Sequence, residues 1–261
     1  MMKIYAVANQ KGGVGKTTSV INLGAMLGKN GLKTLIVDID PQANATSSMG
    51  INKFEVQAST YDMLLEEVDS NQIKISVESY GVDVLPSNPE LAGAEVELVT
   101  ALGREYRLQN ALKQLDSQYD YALIDCPPSL GLLTVNALAA ASDGILIPVQ
   151  CEYLALEGLT QLLQTIELVQ RFLNPQLVVR GVIMTMYDSR TNLSRQVVEE
   201  VRRHFKEKVF RTIIPRSVRL SEAPSHALPV NEYAPNSAGA VAYRLLAAEL
   251  LKGDHMPESA L

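Results

Sequence analysis

Lys11-Gly12-Gly13-Val14-Gly15-Lys16-Thr17-Thr18 stands between a short apolar run, Ile4 to Asn9, and a stretch of helical periodicity from Lys16 to Asn30. A strand, a glycine-rich turn and a helix in that order make a loop able to hold nucleotide phosphates. Gly12, Gly13 and Gly15 let the backbone approach a polyphosphate without Cβ clashes. The helix opening at Lys16 adds unpaired N–H groups and the positive end of its dipole. In such a loop Lys16 neutralises the β and γ phosphates and Thr17 offers a hydroxyl to Mg²⁺, a hard cation that takes oxygen ligands. The stretch therefore implies a nucleotide hydrolase; an ordinary glycine-rich turn is the alternative.

Outward from that loop, short Val/Ile/Leu-rich runs alternate with longer helical patterns, as in parallel strands joined by crossover helices. The expected fold is a doubly wound, mostly parallel α/β sheet with helices on both faces. Strands are expected at Ile4 to Asn9, Thr34 to Asp38, Val82 to Pro86, Tyr121 to Asp125, Ile145 to Val149, Val178 to Thr185 and Thr212 to Ile214. Helices are expected at Lys16 to Asn30 with Gly31 as C-cap, Arg104 to Leu115, Leu132 to Ala141, Leu159 to Leu173, Leu193 to Phe205 and Ala238 to Leu251. Residues 1–252 read as one nucleotide-binding domain, and 253–261, polar and containing Pro257, as a frayed tail.

Ligands of open parallel sheets bind beyond the carboxyl ends of the strands, so the residues just after each strand are the candidates. Asp125 ends the run Tyr121-Ala122-Leu123-Ile124 and is placed to hold a water on Mg²⁺; a capping carboxylate is the alternative. Asp38 and Asp40 share a strand-end position, so that one is expected to face metal and the other the attacking water. Asp40 opening the turn at Pro41 is the alternative there.

The chain of 261 residues is 47% hydrophobic and 20% charged, the balance of a folded globular protein rather than a disordered one. Its net charge of −6 argues against a protein that coats nucleic acid over its whole surface. Charge is unevenly spread, however: Arg190 to Arg219 holds nine Lys/Arg against Glu199, Glu200 and Glu207. Read alone, that window is a local basic patch or a solvated helix face. The two cysteines, Cys126 and Cys151, lack CxxC spacing, and no signal peptide or membrane-spanning run is legible, so a reducing cytoplasm is the expected location. His204, His226 and His255 share no ligand spacing.

The generic phosphate-loop pattern requires glycine five residues before Gly15, and Gln10 stands there, with Lys11 ahead of the glycines. In this the sequence resembles the deviant phosphate-loop ATPases: ParA/Soj partition proteins, MinD and the nitrogenase iron protein. Asp38-Ile39-Asp40-Pro41-Gln42, Asp125-Cys126-Pro127-Pro128-Ser129-Leu130-Gly131 and Pro215-Arg216-Ser217-Val218-Arg219-Leu220-Ser221-Glu222-Ala223-Pro224-Ser225 bring it nearest to the ParA/Soj chromosome-partitioning family.

That resemblance implies an ATP- and Mg²⁺-dependent ATPase of slow intrinsic turnover. Lys11 reaches a partner's nucleotide across a sandwich dimer, and Gly12 lies at the dimer interface. Asp40 orients the water, with Asp38 near the metal; Gly13 through Thr18, Val14 included, hold phosphate. Pro215 and Arg216 hold adenine, with Met186 nearby, although Met184 and Met186 by their strand pattern read as core filler. Asp125 to Gly131 is a switch reporting the γ-phosphate. Arg190 and Arg219 bind DNA non-specifically in the ATP dimer, and a ParB-like protein stimulates hydrolysis, placing the chain on the nucleoid. Ala43 stands where relatives often carry glycine. A MinD-like membrane regulator would need a C-terminal amphipathic basic helix, which 253–261 is not. An iron–sulfur ATPase would need Cys126 and Cys151 in contexts they lack.

Overall fold

The computed structural model describes residues 1–153, 155 and 157–255. Eight strands form one sheet: β1 Lys3–Val7, β2 Thr34–Asp38, β3 Ile75–Val77, β4 Val82–Leu85, β5 Tyr121–Asp125, β6 Gly144–Gln150, β7 Val179–Tyr187 and β8 Val209–Pro215. Their order is β3-β4-β2-β5-β1-β6-β7-β8. Every pairing is parallel except that of β3 with β4. β3, a three-residue edge strand, lies outside the seven expected strands because so short a run carries no readable alternation.

The helices are α1 Lys16–Lys29, α2 Asn44–Ser48, α3 Thr60–Leu65, α4 Ser70–Ile73, α5 Leu91–Glu97, α6 Arg107–Lys113, α7 Leu132–Ala140, α8 Glu157–Phe172, α9 Asn192–Phe205, α10 Val218–Glu222, α11 Val230–Tyr233 and α12 Ala238–Gly253. The long ones match the periodic stretches, and Gly31 adopts the left-handed backbone expected of a helix stop. The short ones follow local capping rather than periodicity. Ser59, for example, accepts from the Tyr61 amide while Asp62 accepts from the Ser59 amide, starting α3.

Alternation along each central strand divides the apolar side chains between two cores. On β2, Leu35 and Val37 face one core with Leu85, Leu108 and Leu133, while Ile36 faces the other with Leu23, Leu27 and Tyr243. Burial on both faces is why these strands read as unbroken apolar runs.

The expected tail begins too early. α12 runs on to Gly253, and the Asp254 side chain is only 3% exposed, ion-paired to Arg180 at 3.0 Å and accepting hydrogen bonds from the hydroxyls of Tyr5 (2.7 Å) and Tyr121 (2.9 Å). A buried acceptor with three donor side chains ties down a segment that polarity alone suggests is loose. Residues 256–261 lie outside the described part.

Candidate nucleotide site

β2, β5 and β1 are adjacent, so their carboxyl ends deliver the Asp38–Asp40 segment, Asp125 and the glycine-rich loop to one place. Gly13 (φ 73°) and Gly15 (φ 92°) take left-handed backbone, which explains glycine at both. The loop is pinned from outside: Asn9 Nδ2 donates to the Pro148 carbonyl at 2.7 Å, the Lys11 amide donates to Asn9 Oδ1 at 3.0 Å, and Thr185 Oγ1 donates to the Val14 carbonyl at 2.8 Å. Lys16 is 6% exposed, and among the described residues its ammonium hydrogen-bonds only to the Lys11 carbonyl, at 3.4 Å. Burial therefore lowers its pKa, against the pull of Asp125, Cys126 and Asp40. A phosphate would relieve that cost.

Asp125 is fully buried, and among the described residues neither carboxylate oxygen has a partner at hydrogen-bonding geometry, although the Thr17 hydroxyl is near enough to favour its charged form. Burial first, and then neighbouring Asp38, hold its pKa well above the usual carboxylate range, with Thr17 and Lys16 pulling the other way. An orphaned carboxylate beside a threonine hydroxyl suits a hydrated hard cation. Among the described residues no three His, Cys, Asp or Glu side chains converge as a protein-only metal site, so such a cation would depend on phosphate oxygens.

Asp38 lies opposite Asp125 in the sheet register, but its carboxylate is already engaged. Oδ1 accepts from the Asp40 amide at 3.1 Å, and Oδ2 accepts from the Thr46 amide at 2.8 Å and the Thr46 hydroxyl at 2.7 Å. Burial raises its pKa to about 6 in spite of those donors. Asp40 is 6% exposed and lines a cavity of about 380 Å³ with Lys16, Thr17, Pro128 and Met186. Thr46 and Ser87 escaped the sequence reading. The signal for Ser87 was available, since it follows strand β4; Thr46 carries no local signal, because its partner is eight residues away.

A second cavity, of about 360 Å³, adjoins the first and shares Gly15, Thr18, Met186 and Pro224 with it. Pro215 and Arg216 line it, and the Arg216 amide donates to the Tyr187 carbonyl at 2.9 Å. Met186 takes left-handed backbone (φ 53°) where the pairing of β7 with β8 slips, turning into both cavities, whereas Met184 is buried in the core. The two methionines thus part company despite one strand pattern.

Lys11 is exposed beside α8, away from Lys16's cavity. Nothing within the protomer demands glycine at position 12: an added Cβ would meet only Pro128, at 3.9 Å. Arg190 and Arg219 lie beyond β7 and β8, their side chains 84% and 58% exposed, paired with Asp188 and Glu222. Both cysteines are buried, and burial pushes the thiols up, Cys151 to about 12. Among the described residues no helix is long and apolar enough to cross a membrane.

A family model described as an AAA domain matches residues 2–179. The chain is 56% identical to the sporulation initiation inhibitor protein Soj of Bacillus subtilis, covering 96% of this chain and 98% of that one. It is 52% identical to the chromosome partitioning protein ParA of Myxococcus xanthus, covering 97% and 89%. Among solved structures it is similar to cobyrinic acid a,c-diamide synthase from Mycobacterium smegmatis with bound ATP analog and magnesium, with a TM-score of 0.87, 41% identity and coverage of 98% and 96%.

Proposed function

This chain belongs to the Soj/ParA family of chromosome-partitioning ATPases, and we propose that it is an ATP-driven switch whose nucleotide-bound dimer holds DNA. The observation that carries the nucleotide part is Asp125, buried without a hydrogen bond beside Thr17 and Lys16 in a glycine-rich loop.

In this reading the loop amides and Lys16 bind the β and γ phosphates, and the energy that buries the lysine is recovered on binding. The Thr17 hydroxyl, and Asp125 through water, would hold Mg²⁺, which would supply charge neutralisation across those phosphates. Asp38, fully occupied by Thr46 and Asp40, serves the metal only through the loop it fixes. Asp40 orients the water that attacks the γ-phosphorus as the bond to ADP breaks. Met186, Pro215 and Arg216 wall the adenine.

Gly12, where an added Cβ would meet only Pro128 at 3.9 Å among the described residues, leaves room for a nucleotide or a partner, and in this reading, as in the family, it lies at the dimer interface. The Lys11 side chain, exposed beside α8 rather than lining its own cavity, is free to reach a partner's nucleotide. Pairing two protomers doubles the Arg190 and Arg219 contacts to phosphate, so ATP gates DNA binding through dimerisation. A ParB-like protein ends the state by stimulating hydrolysis, and the same cycle serves partitioning and control of replication initiation on the nucleoid, in the cytoplasm.

The test is DNA retention at near-physiological salt with ATP, with ADP, and with ATP after Arg190→Ala plus Arg219→Ala. Retention only with ATP, lost in the double variant, is expected. Equal retention with ADP would overturn the switch, and undiminished retention by the double variant would overturn the arginine assignment.

A further inference from the structure

Asp40 lies two residues beyond β2, where the Ile39 amide makes a last bond to the Asp125 carbonyl (3.1 Å), and the Gln42 and Ala43 amides donate to Asp40 Oδ1 (2.9 Å) and to its carbonyl (2.8 Å). A closed ring of four hydrogen bonds ties this turn to β2, α2 and the end of β4. The Asp40 amide donates to Asp38 Oδ1 (3.1 Å), and the Asp40 carbonyl accepts from Ser87 Oγ (2.8 Å). The Ser87 amide donates to Thr46 Oγ1 (2.9 Å), and Thr46 Oγ1 donates to Asp38 Oδ2 (2.7 Å). Asp38, Thr46 and Ser87 are each 0% exposed.

From this ring we infer that Thr46 and Ser87 are positioning residues for hydrolysis: they set where Asp40 holds the attacking water. The inference rests on the proposed role of Asp40. The proton inventory supports it, because each hydroxyl has a single proton. Thr46 gives its proton to Asp38 and Ser87 gives its to the Asp40 carbonyl, so neither hydroxyl serves as a donor to water or phosphate. Both therefore act only through Asp40. The ring also joins three separate elements, since Asp38 ends β2, Thr46 is on α2 and Ser87 follows β4. Loss of one member shifts Asp40 relative to the phosphate loop, and a displacement near 1 Å costs on the order of 100-fold in rate.

The experiment is single-turnover hydrolysis of Mg-ATP by the full chain in excess, with nucleotide affinity measured separately by titration. Ser87→Ala and Thr46→Val should slow the hydrolytic step at least tenfold while affinity stays within about twofold. Thr46→Ser, which keeps the hydroxyl, should restore the rate. Asp40→Ala in parallel separates two failures. Turnover surviving Asp40→Ala would refute the role of Asp40 and the ring's with it. Turnover lost in Asp40→Ala but unchanged in Ser87→Ala would refute the ring alone. Rate and affinity falling together in Ser87→Ala, or no rescue by Thr46→Ser, would reduce the ring to a fold contact and overturn the inference. Should Thr46→Val fail to fold, Ser87→Ala decides.

Discussion

Strand β5 begins at Tyr121 and ends at Asp125, and a buried carboxylate lies at each end of it, under opposite conditions. At the amino end Asp254 accepts from Tyr5, Tyr121 and Arg180, and every donor that faces it is used. At the carboxyl end Asp125 has, among the described residues, no formed hydrogen bond, only the Thr17 hydroxyl nearby. A satisfied buried charge holds a fold together, whereas an unsatisfied one is a cost that a ligand removes. The same strand thus carries a satisfied carboxylate and an unsatisfied one, the latter assigned to binding in the proposed function, and hydrogen-bond accounting tells them apart where residue type does not.

The sharpest way to break that contrast is to remove each carboxylate in turn. Asp254→Ala strands a partly buried guanidinium and two tyrosine hydroxyls, and it should destabilise the chain by about 3 kcal/mol, read as a lowered urea midpoint. Asp125→Asn should do the reverse to the nucleotide-free chain, raising stability by about 1 kcal/mol in the same assay, while abolishing hydrolysis.

The sign of the pH dependence follows from the same burial. The Asp125 pKa is raised in the folded chain, so its protonated form contributes stability at low pH that is lost as the group ionises; Asp38, raised to about 6, behaves alike. Wild type should therefore lose ground to Asp125→Asn as pH rises above about 4, the ordinary carboxylate range, and through the raised pKa of Asp125. Mg-ADP should erase that trend, and a difference independent of pH would sink the explanation.

Charges outside the sheet ends should matter less. Arg190 is exposed and paired to Asp188, a contact that solvent and salt screen. Arg190→Ala should leave the urea midpoint in place and lower the slope of log affinity for DNA against log salt by about one. The smallest effect belongs to Ala43, fully buried and left-handed (φ 51°) at the start of α2. Ala43→Gly relieves a strain of about 1 kcal/mol, partly offset by the greater freedom of the unfolded chain, and the midpoint should rise slightly.

The central strands were legible in sequence because they are buried on both faces, and the phosphate loop because its chemistry is local. Asp125 was legible for the same reason, as an acid ending an apolar run. What escaped depends on partners distant in the chain. Asp38 resembles a metal carboxylate until Thr46 is seen folded over it. Ser87 stands at a readable strand end, but its tie to Asp40 is invisible until β4 is placed beside β2, and Asp254 belongs to a polar tail until Tyr5 and Tyr121 are found beneath it. A side chain's type is written at its own position, but whether it is satisfied is settled across the sheet.

The Asp254 clasp also bears on synthesis. Tyr5 is among the first residues made, and the carboxylate that completes its surroundings is 249 positions later. Strands β1, β5 and β7 can assemble as they emerge, but Tyr5, Tyr121 and Arg180 wait for an acceptor until the last turn of α12 is formed. A chain halted short of 254 carries the entire phosphate loop and still opens more readily, which leaves it open to proteolysis before it can occupy a partner. For the same reason a tag fused after residue 254 should be tolerated far better than a deletion that removes it.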